Sequence, residues 1–277
     1  MRRLLMILVV AAVGAAAWWY WDDANDLKQS AFSYIENGDI LTLEARFSPE
    51  RIMDGYRQEL LGNSGRTYLD PVSRYSPYLL MEVKYHQDGK SREGTVLWGM
   101  QDGEMVLNTE TWETSHGLED CLNDGANIND FKIIHALARN KGSLTKEHLL
   151  EALNGDKDVV DSWIESARQK HLIVQKGNLM QLHFENPKIP LVPQTKIKQT
   201  LVSKSIGRAQ RIPSRYSKSK IIKTAQAAFG NDFTIRTEQE VYLPVYTIEV
   251  QNPDGSIRRS DWNALTGEPF LAKPYAQ

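Results

Sequence analysis

An uncharged run of eighteen residues, 4–21, constrains this chain more than any other feature. Arg2 and Arg3 precede it, and Asp22, Asp23 and Asp26 follow. As a helix, such a run reaches about 27 Å, enough to cross the hydrocarbon core of a bilayer. Positive charge before it and acid after it set its direction: the arginines stay inside, and everything beyond Asp22 is expected outside. Trp18, Trp19, Tyr20 and Trp21 would form an aromatic girdle at the far headgroups, which suits a retained anchor. Ala15-Ala16-Ala17 also offers a small-residue cleavage pattern behind an apolar stretch of signal-peptide length, so secretion after cleavage is the alternative. The expected placement is a single-pass inner-membrane protein, N-terminus in and body periplasmic. Cys121 is the sole cysteine, so no lipidated cysteine follows the run and no intrachain disulfide forms.

Behind 1–23, the signal-anchor segment, charge is segregated. Residues 22–127 hold 20 acidic and 9 basic side chains, 128–185 hold 8 of each, and 186–231 hold 10 basic and no acidic ones. Such asymmetry suggests units with different surfaces, or an acidic unit resting on a basic linker.

Residues 24–125 read as an α+β domain. A helix is expected over 25–37, ended by Gly38. Another starts at Ser48-Pro49-Glu50, an N-cap, a first-turn proline and an early acid, and runs to about Leu61. The period then becomes two. Residues 78–86, 91–100 and 104–111 alternate as strands, and Asp88-Gly89 and Asp102-Gly103 turn between them, giving an antiparallel meander. Tyr68, Tyr75, Tyr78, Trp98 and Trp112 could line a ligand groove or fill the core, the commoner fate of such aromatics.

Chemistry-bearing residues do not cluster. His116, Glu119, Asp120 and Cys121 can be drawn as a metal site but lack the paired spacing of zinc ligands. His86, His135, His148, His171 and His183 are scattered, and no metalloprotease, phosphate-loop or nucleophile-elbow motif occurs. No catalytic residue, metal or cofactor is expected. Cys121 reads as a small buried hydrophobe. Asp70, Glu82 and Glu104, taken as paired carboxylates, carry the alternative reading of a hydrolase.

In residues 126–185 a helix is expected from a cap at Asn129-Asp130 to Arg139. A short one follows with Thr145 as N-cap, and a third runs from Asp156 to Lys170. Strands over 171–175 and 179–184 flank the turn Lys176-Gly177-Asn178. Three helices followed by a hairpin wing resemble the winged-helix fold, whose third helix often enters the DNA major groove. This sequence departs from that use. Asp156, Asp158, Asp161 and Glu165 outnumber Lys157, Arg168 and Lys170, and an acidic helix start repels phosphate. The expected role is therefore protein interaction or scaffolding. A winged-helix nucleic-acid-binding regulator is the alternative.

Pro187, Pro190 and Pro193 mark residues 186–216 as an extended, basic linker. Arg208, Arg211 and Arg215 belong to this basic run, which could meet an anionic surface, remain solvated or pair with the acidic first domain. In 217–277 a helix over 217–229 ends at Gly230, and strands follow over 233–237, 241–250 and 257–262. The stretch Val245-Tyr246-Thr247-Ile248-Glu249-Val250, the turn Asp254-Gly255 and the closing Asn263-Ala264-Leu265-Thr266-Gly267 resemble the PepSY module, with Asn263 where that family usually has Asp. The resemblance implies a non-enzymatic module of the cell envelope, sometimes fused to secreted peptidases and thought to restrain them. Pro244 cannot donate to a ladder, so an edge strand or a bulge is expected there. Val241, Tyr242, Pro244 and Tyr246, with Arg208, Arg211 and Arg215, form the candidate interaction surface.

The sequence thus predicts an α+β multidomain protein: a transmembrane helix, an α+β domain with an antiparallel meander, a winged-helix domain, and a C-terminal helix with an antiparallel sheet. The expected function is that of a membrane-anchored cell-envelope binding or scaffold protein. Its partners would be the membrane, through the N-terminal helix, and one or more proteins; nucleic acid is disfavoured.

Overall fold

The computed structural model describes residues 39–62, 65–206 and 209–270. The apolar run 4–21, the helix expected over 25–37 and Arg208 lie outside these. No helix among the described residues is long and apolar enough to cross a membrane.

The described chain is mixed α and β. It opens with β1 (Asp39–Leu43), α1 (Pro49–Gly55) and α2 (Arg57–Leu61). Ser48 Oγ accepts from the Arg51 N–H and caps α1. The single helix expected to Leu61 is instead interrupted at Tyr56, which leaves helical geometry. Strand β2 (Thr67–Tyr68) pairs with the later strand 234–251, and β3 (Val72–Gln87), β4 (Lys90–Gly99), β5 (Met105–Asn108) and β6 (Glu113–Thr114) form the meander, followed by α3 (Leu118–Asn123). Asp88 and Gly89, both at positive φ, close the β3–β4 hairpin. Next come α4 (Ile128–Arg139), β7 (Ser143–Thr145), α5 (Lys146–Leu153), α6 (Lys157–Gln169), β8 (Ile173–Lys176) and β9 (Leu179–Leu182). Last are β10 (Leu201–Ser205), β11 (Gln210–Arg211), α7 (Lys218–Phe229), β12 (Thr234–Gln251) and β13 (Ile257–Asn263).

The residues assigned to the first and last units build one sheet. β12 pairs antiparallel with β3 from Thr234 opposite Lys84 to Pro244 opposite Tyr75. It then pairs with β13 from Val245 opposite Asn263. β1 and β11 run parallel to their neighbours β12 and β3, so the ten-stranded sheet is mixed, not antiparallel as expected. The separate strands expected over 233–237 and 241–250 are one continuous strand. Pro244 does not lie at an edge either. It sits where the ladder with β3 ends and the ladder with β13 begins, and its carbonyl accepts from the Ala264 N–H at 3.1 Å. A residue without an N–H is tolerated there because the partner changes at that point.

Burial along these strands reports what covers the sheet. In β3, Tyr75 to Leu79 are all buried; thereafter Met81, Val83 and Tyr85 are buried while Glu82, Lys84 and His86 are exposed. A strand covered on both faces loses alternation, and a half-covered one keeps it. One face carries Met81, Val83, Tyr85, Val96 and Trp98 against α3, α4 and α7. On the other, Tyr78, Leu97, Val106, Val241 and Leu243 pack with Leu43 and Leu265. Ile52 and Leu60 of α1 and α2 cover Ile248, Val250 and Trp262. Tyr75, Tyr78 and Trp98 are therefore core and line no groove.

The middle unit has three helices and a three-stranded antiparallel sheet ordered β7-β9-β8. Asn127, not Asn129-Asp130, caps α4; its side chain and that of Asp130 form a reciprocal capping box. Lys170 Nζ reaches the buried Asp130 carboxylate at 2.6 Å, tying the end of α6 to the start of α4. The unit's core is continuous with that of the sheet, because Phe131, Ile134 and Leu137 join the cluster containing Met81 and Trp98.

The proline-containing connector is stitched into the sheet. Thr195 is buried, its N–H donates to Thr95 O at 2.7 Å, and its hydroxyl donates to Val106 O at 2.6 Å. The same Oγ1 accepts from the Leu97 N–H at 2.9 Å. It bridges β4 and β5 just where their direct pairing is limited to Leu97–Val106 and Trp98–Met105. Thr195→Val keeps the shape but leaves the Leu97 N–H and the Val106 carbonyl without this partner. The expected loss is about 2–4 kcal/mol at the usual cost of buried unsatisfied groups, read as a lower urea midpoint with unchanged far-UV circular dichroism.

Candidate functional site

The structure scatters the residues singled out in the sequence. Val241, Tyr242 and Pro244 are buried, and Tyr246 is half-buried against α1 and α2. The Tyr242 hydroxyl donates to Glu240, and the Arg211 guanidinium lies 5.5 Å from its ring centroid. Burial and Glu240 together push the Tyr242 hydroxyl well above its ordinary range. Arg215 belongs elsewhere: it pairs with Glu119 at 2.7 Å and stacks 5.0 Å from Tyr216. Capture of an extended segment by Val241–Tyr246 therefore lacks the open edge it requires.

The basic run meets the acidic first unit. Lys188 pairs with Glu113, Lys198 with Glu110 at 2.6 Å, and Arg215 with Glu119. Lys218 adds Glu240 at 3.6 Å. These cations face carboxylates, not an open anionic surface. On α6, Asp161 is tied to Lys146 at 2.8 Å and Arg168 to Glu165 at 2.9 Å.

Glu82 and Glu104 do not form an acid–base pair. Glu82 is exposed opposite Thr95, whereas Glu104 is buried beside Gly99. Four residues of β4 separate those positions, about 13 Å at the rise of a strand. Glu104 serves the fold: its carboxylate accepts from Ser115 Oγ at 2.5 Å and from the N–H groups of Gly117, Leu118 and Glu119 at the start of α3. Burial pushes its carboxyl up to about 7, against the downward pull of those donors. Among the described residues, no group of three or more His, Cys, Asp or Glu side chains could hold a metal ion. His116 is exposed and Cys121 fully buried.

The candidate site that its charges single out lies elsewhere, where four segments meet. A cleft of about 290 Å³ opens between the end of β3, the end of α4, the connector and the end of α7. Tyr85, Val192, Pro193 and Phe229 supply apolar wall, and Leu191 is an exposed large hydrophobe at 42 %. His135 and Arg139, four residues apart and so on one face of α4, contribute the polar side. His135 packs against Phe131 at 5.9 Å, and its Nε2 is buried without a hydrogen-bond partner. Burial, with the Arg139 charge beside it, lowers the imidazole to about 4. Asp232, just beyond α7, faces the same cleft.

Charge pairing separates this cleft from others on the surface. A cleft at Glu93 and Arg236 contains the ion pair between them at 2.7 Å. One at Arg168 and His171 contains the Arg168–Glu165 pair. One at Arg74 and Arg259 contains cations paired with Asp261 and Glu249. In the His135 cleft, neither Arg139 nor Asp232 has an ion-pair partner among the described residues. No motif spacing announces this site, because its walls come from residues 85–87, 135–139, 191–193 and 228–232.

Two buried groups give opposing pH dependences. His135 is held neutral in the fold, so the unfolded chain binds more protons between about pH 4 and 6.5, and His135 costs stability as pH falls through that window. Glu104 is held protonated, so the folded chain binds more protons between about pH 4.5 and 7, and Glu104 costs stability as pH rises. Each effect is about 3 kcal/mol in full. His135→Gln is expected to tilt the profile so that stability falls as pH rises from 4.5 to 7. Glu104→Gln should tilt it the other way. Chemical denaturation at half-unit pH steps distinguishes these slopes; parallel profiles for wild type and variants would contradict both assignments.

No protein-family model matches the chain, and no curated protein or solved structure matches it.

Proposed function

We propose that this chain is a non-catalytic binding protein of the cell envelope, anchored by residues 4–21 with its body outside the cytoplasm, and that the His135 cleft is its ligand site. The cleft carries the binding half of this reading: it combines apolar wall, a buried unpartnered imidazole nitrogen and two charges without ion-pair partners. Small-ligand sites combine apolar wall with polar groups that fix orientation; in this cleft the polar groups make up the larger part of the lining. The anchoring half rests on Arg2 and Arg3 before an uncharged run and three aspartates after it. Residues 126–185, winged-helix-like, act in this reading as a scaffold that presents one wall of the cleft. Residues 217–270, PepSY-like, supply the opposite wall and the strand that completes the sheet.

Alkaline phosphatase fused to the C-terminus is expected to be active, and protease added to spheroplasts should degrade the body. An inactive fusion with a protected C-terminal tag would refute the topology. For the cleft, Asn231→Trp places a large side chain on an exposed wall residue. Small molecules and proteins retained by the full chain, purified from membranes in mild detergent, are compared with those retained by this variant using mass spectrometry. Selective loss of a retained component is expected; an unchanged set would remove the cleft from the proposal.

A further inference from the structure

We infer that the cleft accepts a zwitterionic small molecule with an apolar body, of the α-amino-acid class, its carboxylate directed to Arg139 and its ammonium to Asp232. The inference rests on the reading of the cleft as a binding site and adds the chemistry of what it binds. Arg139 and Asp232 line one cleft of about 290 Å³ yet form no ion pair with each other or with any described residue. The volume lies at the small end for ligand sites, suited to a compact ligand and not to a chain of residues.

The charges decide among ligand classes. A purely anionic ligand would gain Arg139 but sit near Asp232, and a purely cationic one would meet the reverse. A neutral apolar ligand would strip water from both charges without replacing it, which is costly. A molecule carrying both charges answers both walls. Its apolar body would cover Leu191, Val192 and Phe229, removing their exposed surface from water at about 25 cal/mol per Å². His135 lines the wall beside Arg139 on the same helix face, its Nε2 buried beneath that wall. Of the other titratable side chains of the lining, His86 is exposed near the end of β3 and Tyr85 is buried, its hydroxyl donating to Gln194 Oε1 at 3.4 Å.

The test is isothermal titration of the full chain in detergent at pH 7.5 with three probes: L-phenylalanine, N-acetyl-L-phenylalanine, which lacks the ammonium, and L-phenylalaninamide, which lacks the carboxylate. Saturable binding of L-phenylalanine is expected, weakened about tenfold by removal of either charge, the equivalent of one modest charge-assisted contact. Arg139→Gln should weaken L-phenylalanine but leave the amide unaffected, Asp232→Asn should weaken L-phenylalanine but leave the N-acetyl derivative unaffected, and Arg139→Lys should restore part of the loss. Both residues are exposed, and thermal unfolding of each variant confirms that the fold is kept. Absence of saturable L-phenylalanine binding, equal affinity for all three probes, or indifference to both neutralising variants would overturn the ligand class. A component lost selectively through Asn231→Trp would in that case still identify the cleft as a binding site.

Discussion

The ladder between β3 and β12 joins residues 72–87 to residues 234–251, and nearly every other contact in the molecule is arranged around it. Each strand has a stretch of five consecutive buried residues, Tyr75–Leu79 in one and Val241–Val245 in the other. Such a stretch requires cover on both faces, and the chain supplies it from different directions. α3, α4 and α7 lie on one side; Leu43, Trp112 and Leu265 close the other. The two strands serve as the common floor of cores that the sequence would assign to separate units. β1, β2 and β13 then attach to β12, while β4 and β11 attach to β3.

Polar groups buried beside this ladder are handled by pairing rather than by avoidance. Thr195 fills the gap between β4 and β5 with one accepted and one donated hydrogen bond from a single hydroxyl, and its backbone continues the pattern to Thr95. Glu104 gathers the first N–H groups of α3, so one carboxylate holds the meander to the helix that follows. Lys170 does the same for the buried Asp130 at the start of α4. The basic connector follows this logic at the surface. Lys188, Lys198 and Arg215 pair with acids of the first unit, which offsets part of the charge asymmetry of the sequence.

Local chemistry was legible in the sequence, and long-range partnership was not. Ser48 and Thr145 cap their helices, Asp88-Gly89 turns a hairpin, and the alternation from Met81 to His86 reports a half-covered strand. Each of those rests on residues within a few positions of one another. Pro244 misled because its missing donor says only that some ladder position is vacant. Whether that means an edge or a change of partner depends on residues 75 and 264. Tyr75, Tyr78 and Trp98 left groove and core both open until the sheet's second layer was in place. The cleft is the extreme case: His135 and Arg139 look like ordinary helix residues until the connector and the end of α7 are brought beside them.

The order in which the chain becomes available gives the β3–β12 pairing a further consequence. Strand β3 is synthesised well before its partner, and more than 140 residues intervene between Gln87 and Thr234. Closing so long a loop is slow relative to local hairpin formation, so β3 and β4 can pair early while the other edge of β3 waits. A vacant, partly apolar edge is a template for intermolecular association. Glu82 and Lys84 put charge on the half-covered end of that strand, and charge of this kind discourages such association.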